Sequence, residues 1–208
     1  MYIIWGLLIQ VFIVQVTFGQ EQKKRRSYIG ASIGIAVPTG SFASKNSDSN
    51  QPVGFANTGI HIKLVQAAYV LKNNFGISGA WYGNANGLET TDANGLIGKV
   101  WGYGGIIIGP MYTIPLKNLN IDIKAEIGYS VATILESSFI GIFRNQGETS
   151  TTLAKNLGVG LRYHISAKTS LQWNVDYFNA NAKFTELLDG ERQNITVLNF
   201  GLGILIRI

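Results

Sequence analysis

Asp122, Lys124 and Glu126 stand two residues apart in a stretch whose intervening residues are apolar. In an extended chain, residues i, i+2 and i+4 line one face, so an acid, a base and an acid would project together. Lys63, Arg162, His164, Asp176 and Arg207 hold similar places in other stretches, among aliphatic and aromatic neighbours. Such a set could relay protons or line a solute path if some of its groups were unpaired. Mutual pairing is the simpler reading, because an unpaired charge in a narrow, partly dry space is costly. These eight residues form the candidate site, an interior polar network.

Other chemistry finds little footing. His61 and His164 are the two histidines, and two isolated imidazoles do not make a metal site. The absence of Cys removes disulfides, Cys-based zinc sites and a lipid-modified N-terminal Cys. Ser32 or Ser130 with His164 is the nucleophile and base pairing on offer, and nothing in the spacing positions either serine. Gly102, Gly104 and Gly105, like Gly158 and Gly160, lack the following helix and Lys-Ser/Thr pair of a phosphate loop, and read as small residues within strands. No catalytic, metal or cofactor-binding residue is assigned, and no cofactor.

The elements that must position the network alternate with period two. Ile121, Ile123, Ala125, Ile127, Tyr129 and Val131 interleave with Asp122, Lys124, Glu126, Gly128 and Ser130. The same pattern recurs over 156–165, 171–177 and 198–208, and at the start over Tyr28–Val37. A further strand spans Phe55–Val70, where Gln66 breaks the parity and points to a bulge. Another runs near Phe75–Asn84, and the eighth near Val100–Ile114, where the run Ile106-Ile107-Ile108 leaves the facing open.

From Ser27 onward no apolar run of about 18 residues suggests a membrane helix, yet 46% of the chain is hydrophobic, 14% is charged and mean hydropathy is positive. A bilayer demands that every backbone polar group be paired internally, so a membrane chain without spanning helices must close into a barrel. The expected fold is all-β: an eight-stranded antiparallel up-and-down transmembrane barrel over 27–208. A soluble lipocalin-like barrel is the rival, and would bury its apolar residues inside.

Connection lengths add a second signal. Long polar links lie near 39–54, 85–99, 134–152 and 179–193, and short ones near 71–74, 115–119 and 166–170. Long outer loops and short periplasmic turns suit an exported barrel with both ends on the periplasmic side. Residues 1–19 read as a signal peptide, with an apolar run from Ile3 to Phe18 and small Thr17 and Gly19 before a cut ahead of Gln20. Residues 20–26 form a basic leader. Removing Lys23, Lys24, Arg25 and Arg26 from the 17 basic residues, and Glu21 from the 12 acidic ones, leaves 13 against 11. The high pI thus reflects mainly a short tail, and no basic face interleaved with aromatics suggests nucleic acid.

Tyr69, Tyr82, Trp101, Tyr112, Tyr129, Tyr163, Trp173 and Tyr177 are expected in the aromatic girdles at the headgroup level. Asn86-Gly87 and Asn94-Gly95 suggest a hairpin beyond the membrane, and Phe139, Ile140, Ile142 and Phe143 make another loop apolar.

The passage Ile35-Ala-Val-Pro-Thr-Gly-Ser-Phe42, after the glycine-alternating first strand, resembles the strand-to-loop passage of small OmpA/OmpX-like outer-membrane barrels of Bacteroidota type. Gly203-Ile-Leu-Ile-Arg-Ile208 is similar to the family's terminal assembly signal, ending on Ile208 where an aromatic is usual. The resemblance implies the outer membrane of a Gram-negative bacterium, contact with its lipid, and a protein or glycan ligand at the outer loops. The expected role is non-enzymatic: structural, adhesive or partner-binding. A narrow channel or transport accessory and a lipid-modifying enzyme are the alternatives.

Overall fold

The computed structural model describes residues 27–45, 53–71, 73–88, 98–137, 149–184 and 191–208. The expected signal peptide at 1–19, the basic leader at 20–26 and the apolar stretch Phe139–Phe143 lie outside them. Eight strands follow in chain order: β1 Tyr28–Pro38, β2 Ala56–Val70, β3 Phe75–Leu88, β4 Gly98–Pro115, β5 Leu119–Ser137, β6 Thr149–His164, β7 Thr169–Lys183 and β8 Arg192–Arg207. Each pairs antiparallel with its sequence neighbours, and β8 pairs with β1 to close the ring. No strand edge is left for water or lipid to satisfy.

Alternation decides which side each residue takes. On β5, Asp122, Lys124 and Glu126 are buried in the lumen while Ile123 and Ile127 are exposed on the outside. Ile33, Ile60, Ile106 and Ile204, on four strands, are each 60% exposed or more. Aliphatic surface on this scale needs an apolar solvent, and it is the reverse of a lipocalin-like arrangement. Among the described residues no helix is long and apolar enough to cross a membrane, and the crossing elements are strands.

Two ambiguities of parity are resolved by packing. β2 carries an extra residue at Lys63–Val65, seen in its register with both β1 and β3. Leu64 and Val65 therefore both face outward, and Gln66 returns to the lumen behind Lys63. In the isoleucine run of β4, Ile106 and Ile108 face out and Ile107 turns inward, 2% exposed.

The barrel has a turn end and a loop end. Three short turns, the start of β1 and the end of β8 share the first: Leu71 N–H donates to Phe75 O, Leu116 N–H to Leu119 O, Ile165 N–H to Thr169 O, and Ile208 N–H to Ser27 O. Asn73 and Asn74 adopt φ of 55° and 67°, a left-handed pair that asparagine tolerates better than most residues. At the loop end the strands run further than expected: β3 continues to Leu88, β6 begins at Thr149, and β7 and β8 reach Lys183 and Arg192. Asn86 lies within β3 rather than in a turn, and its Nδ2 donates to the carbonyls of Ala36 and Asn57.

Candidate functional site

The lumen is filled in three layers, each set by the inward parity of the strands. Nearest the turn end, Asp122 on β5 and Arg162 on β6 are both fully buried. Arg162 Nη2 donates to Asp122 Oδ1 at 2.9 Å and Nε to Oδ2 at 3.1 Å, the planar two-point geometry that arginine provides. Thr113 on β4 donates to the same carboxylate at 2.8 Å. The Arg162 guanidinium carbon lies 4.5 Å from the Tyr28 ring centroid, and the Tyr28 hydroxyl reaches Met111 Sδ. The charge pair is thus covered by an aromatic face whose hydroxyl is turned to a thioether.

In the middle layer Lys63 on β2 meets Asp176 on β7 at 2.7 Å, across the lumen. Asp176 also accepts from Asn174 at 2.7 Å and from Asn156 at 3.3 Å. Asn156 donates to Glu126 at 2.9 Å, and Ser78 donates to the other oxygen of Glu126 at 2.7 Å. Lys124, buried beside them, makes no close ion pair among the described residues, and sits in the field of Asp176, Glu126 and Asp122. Three cations, Lys63, Lys124 and Arg162, thereby face three carboxylates, Asp122, Glu126 and Asp176. Net neutrality, with each oxygen of the three carboxylates accepting at least one hydrogen bond, is how a dry interior tolerates charge, although the buried Gln66 amide finds no partner among the described residues.

Glycine on the lumen face makes this fit. A Cβ on Gly158 would come 2.2 Å from Asp176 Oδ1. The carboxylate occupies the space a side chain would take, which is the physical reason for glycine at that inward position.

At the loop end the filling turns aromatic. Thr39 leads into a single 3-10 turn, Gly40–Phe42, that folds back over the mouth and leaves Phe42 fully buried. Phe42 packs edge-on against Trp101 at 5.6 Å and Tyr103 at 6.0 Å. Phe178 stacks on Tyr103 and tilts against Tyr82, and Phe184 meets Trp101. Trp101 Nε1 donates to Gly54 O at 2.7 Å, and Gly54 N–H to Ser41 O, so both arms of the first loop are tied down.

Six of the eight candidate residues thus meet in the two charged layers. His164 and Arg207 do not: both are half-buried at the turn end. His164 Nδ1 lies 2.8 Å from Ser170 Oγ, and Arg207 Nη2 donates to Ser166 O. His61, the other histidine, is buried in the middle layer with Nδ1 2.7 Å from Asn84 Oδ1. Among the described residues no three potential metal ligands gather. Tyr82 and Trp101 depart from their expected place in the girdle. Both are 3% exposed and belong to the lumen, because each shares parity with inward neighbours, Ala80 and Asn84 on β3, Tyr103 and Ile107 on β4. The amides Asn156 and Asn174 and the plug residue Phe42 were not singled out from sequence. Counting parity outward from the charged positions would have found the amides, whereas Phe42 lies in a loop that no periodicity reaches.

No protein-family model and no curated protein matches the chain. Among solved structures it is similar to neisserial surface protein A, at 12% identity over 88% of this chain and 97% of that one, with a TM-score of 0.57. The attachment invasion locus protein Ail of Yersinia pestis aligns at 18% identity over 88% and 99%, TM-score 0.49. OprG of Pseudomonas aeruginosa aligns at 10% identity over 88% and 95%, TM-score 0.47. The described strands, their closure and the likeness to neisserial surface protein A give this chain the fold of an eight-stranded outer-membrane β-barrel.

Proposed function

We propose that the chain is exported by residues 1–19, joined through a basic leader at 20–26 to a barrel over 27–208, and resides in the outer membrane of a Gram-negative bacterium. There it acts as a closed, non-enzymatic mount whose outer loops engage a protein or glycan. The turn end faces the periplasm and the loop end the exterior.

The observation that carries this reading is Phe42, fully buried across the loop-end mouth above two charged layers that neutralise one another. A solute path needs open, hydrated cross-section, and here the Lys63–Asp176 and Arg162–Asp122 pairs lie within it. Rigid strands projecting beyond the apolar band suit presentation of loops, where binding residues concentrate in scaffolded folds.

Reconstitution into planar bilayers tests it together with adherence. The expected result is no discrete conductance, and adherence of expressing cells to coated protein or glycan surfaces that falls when residues 138–148 and 185–190 are replaced by short Gly-Ser linkers. Stable single-channel steps from the wild-type chain would transfer the assignment to a narrow channel. Altered lipid A in expressing cells would transfer it to a lipid-modifying enzyme.

A further inference from the structure

Charge is distributed unevenly between the two ends. Each of the three short turns contributes one lysine, Lys72, Lys117 and Lys168, and Arg207 closes β8 beside them. No Asp or Glu occurs in 71–75, 115–119, 164–170 or 205–208. Of the 12 acidic residues, three lie in the lumen and Glu21 precedes β1; in sequence the remaining eight all fall within the four long polar links, 39–54, 85–99, 134–152 and 179–193. Lysine in a polar turn is ordinary, but a rim whose described residues include lysine and arginine and no Asp or Glu is not what scattered surface charge would produce. Lys117 and Lys168 are exposed.

A second observation concerns the outward rings of that rim. Tyr69 and Phe75 flank the first turn, 63% and 59% exposed, and Phe75 packs on Tyr112 with centroids 4.9 Å apart. Tyr163 stands outward one residue before the last short turn's approach at His164. Rings of this kind settle at the headgroup level of a bilayer. Ammonium groups one to a few residues further along the chain then lie at the depth of lipid phosphates, where polybasic segments bind anionic lipid.

We propose that the turn end is a binding rim for anionic phospholipid headgroups of the leaflet it meets, with Lys117 and Lys168 binding phosphate and the Phe75–Tyr112 pair seated against the glycerol region. This rests on the transmembrane orientation given above, and adds the lipid class and the residues.

The full chain is reconstituted into phosphatidylcholine vesicles holding a trace of spin-labelled phosphatidylglycerol or spin-labelled phosphatidylcholine, and the motionally restricted fraction of each label is compared. The wild type is expected to prefer phosphatidylglycerol about threefold, and to lose that preference in high salt. Lys117→Gln/Lys168→Gln is expected to bring the ratio to about one, with the barrel's heat-modifiable gel mobility unchanged. Equal restriction of both labels by the wild type, or a preference that survives the substitutions, overturns the proposal. So does retention on an acidic protein surface without any lipid preference, which would assign the rim to a protein partner. Failure to enter vesicles at all strikes the transmembrane reading instead.

Discussion

Lys63 Nζ and Asp176 Oδ2 lie 2.7 Å apart with both side chains almost wholly enclosed, 113 residues apart in sequence and on strands that are not neighbours. The pair spans the lumen and links β2 to β7, so the wall is braced through its interior as well as around its circumference.

Breaking that brace on one side should cost more than removing it. Asp176→Ala is expected to lower unfolding free energy in urea and lipid vesicles by about 3–5 kcal/mol, since it strands a buried ammonium. Lys63→Met with Asp176→Asn should lose less than the two single changes added together. A double variant as unstable as that sum would mean the pair is not coupled.

Arg162→Lys keeps the charge but loses the planar two-point contact with Asp122 and the stacking on Tyr28. The expected loss is about 1–3 kcal/mol, read from the same urea titration. An unchanged midpoint would show that a point charge suffices at this place.

Gly158 in the lumen and Gly83 on the outer face provide a contrasting test of how tightly the interior is filled. Gly158→Ala drives a methyl against Asp176 Oδ1 and should cost about 1–3 kcal/mol. Gly83→Ala meets nothing nearer than Ile62 Cγ2 at 3.7 Å, and should stay within about 0.5 kcal/mol of wild type. Equal effects at the two sites would contradict the packing described for the middle layer.

Phe42→Ala removes the stopper at the loop end. The expected cost is about 3–5 kcal/mol. Cleavage by trypsin after Lys45, three residues on and exposed, should quicken about tenfold as the first loop opens locally. Unaltered cleavage would mean that the first loop is held without the phenylalanine.

The strands and their facing were legible because one physical rule, lipid outside and polar groups inside, writes itself into every second residue. Asp122, Lys124 and Glu126 could therefore be placed by parity, and the three short turns by their lengths. Reach was harder to read. β3, β6, β7 and β8 pass beyond the apolar band, where both faces become polar and alternation fades, so Asn86 and Lys183 resembled loop residues. Tyr82 and Trp101 were misplaced because an aromatic near a strand end fits either a girdle or a plug. Only the register with neighbouring strands distinguishes the two. The partners within the network, such as Asn156 bridging Asp176 and Glu126, depend on strand stagger, which one chain's sequence does not encode locally.

The seam between Tyr28–Pro38 and the segment ending at Arg207 joins the first and last strands of the chain. Closure therefore depends on β8, and a barrel lacking that strand would present two raw margins of amide and carbonyl to hydrocarbon.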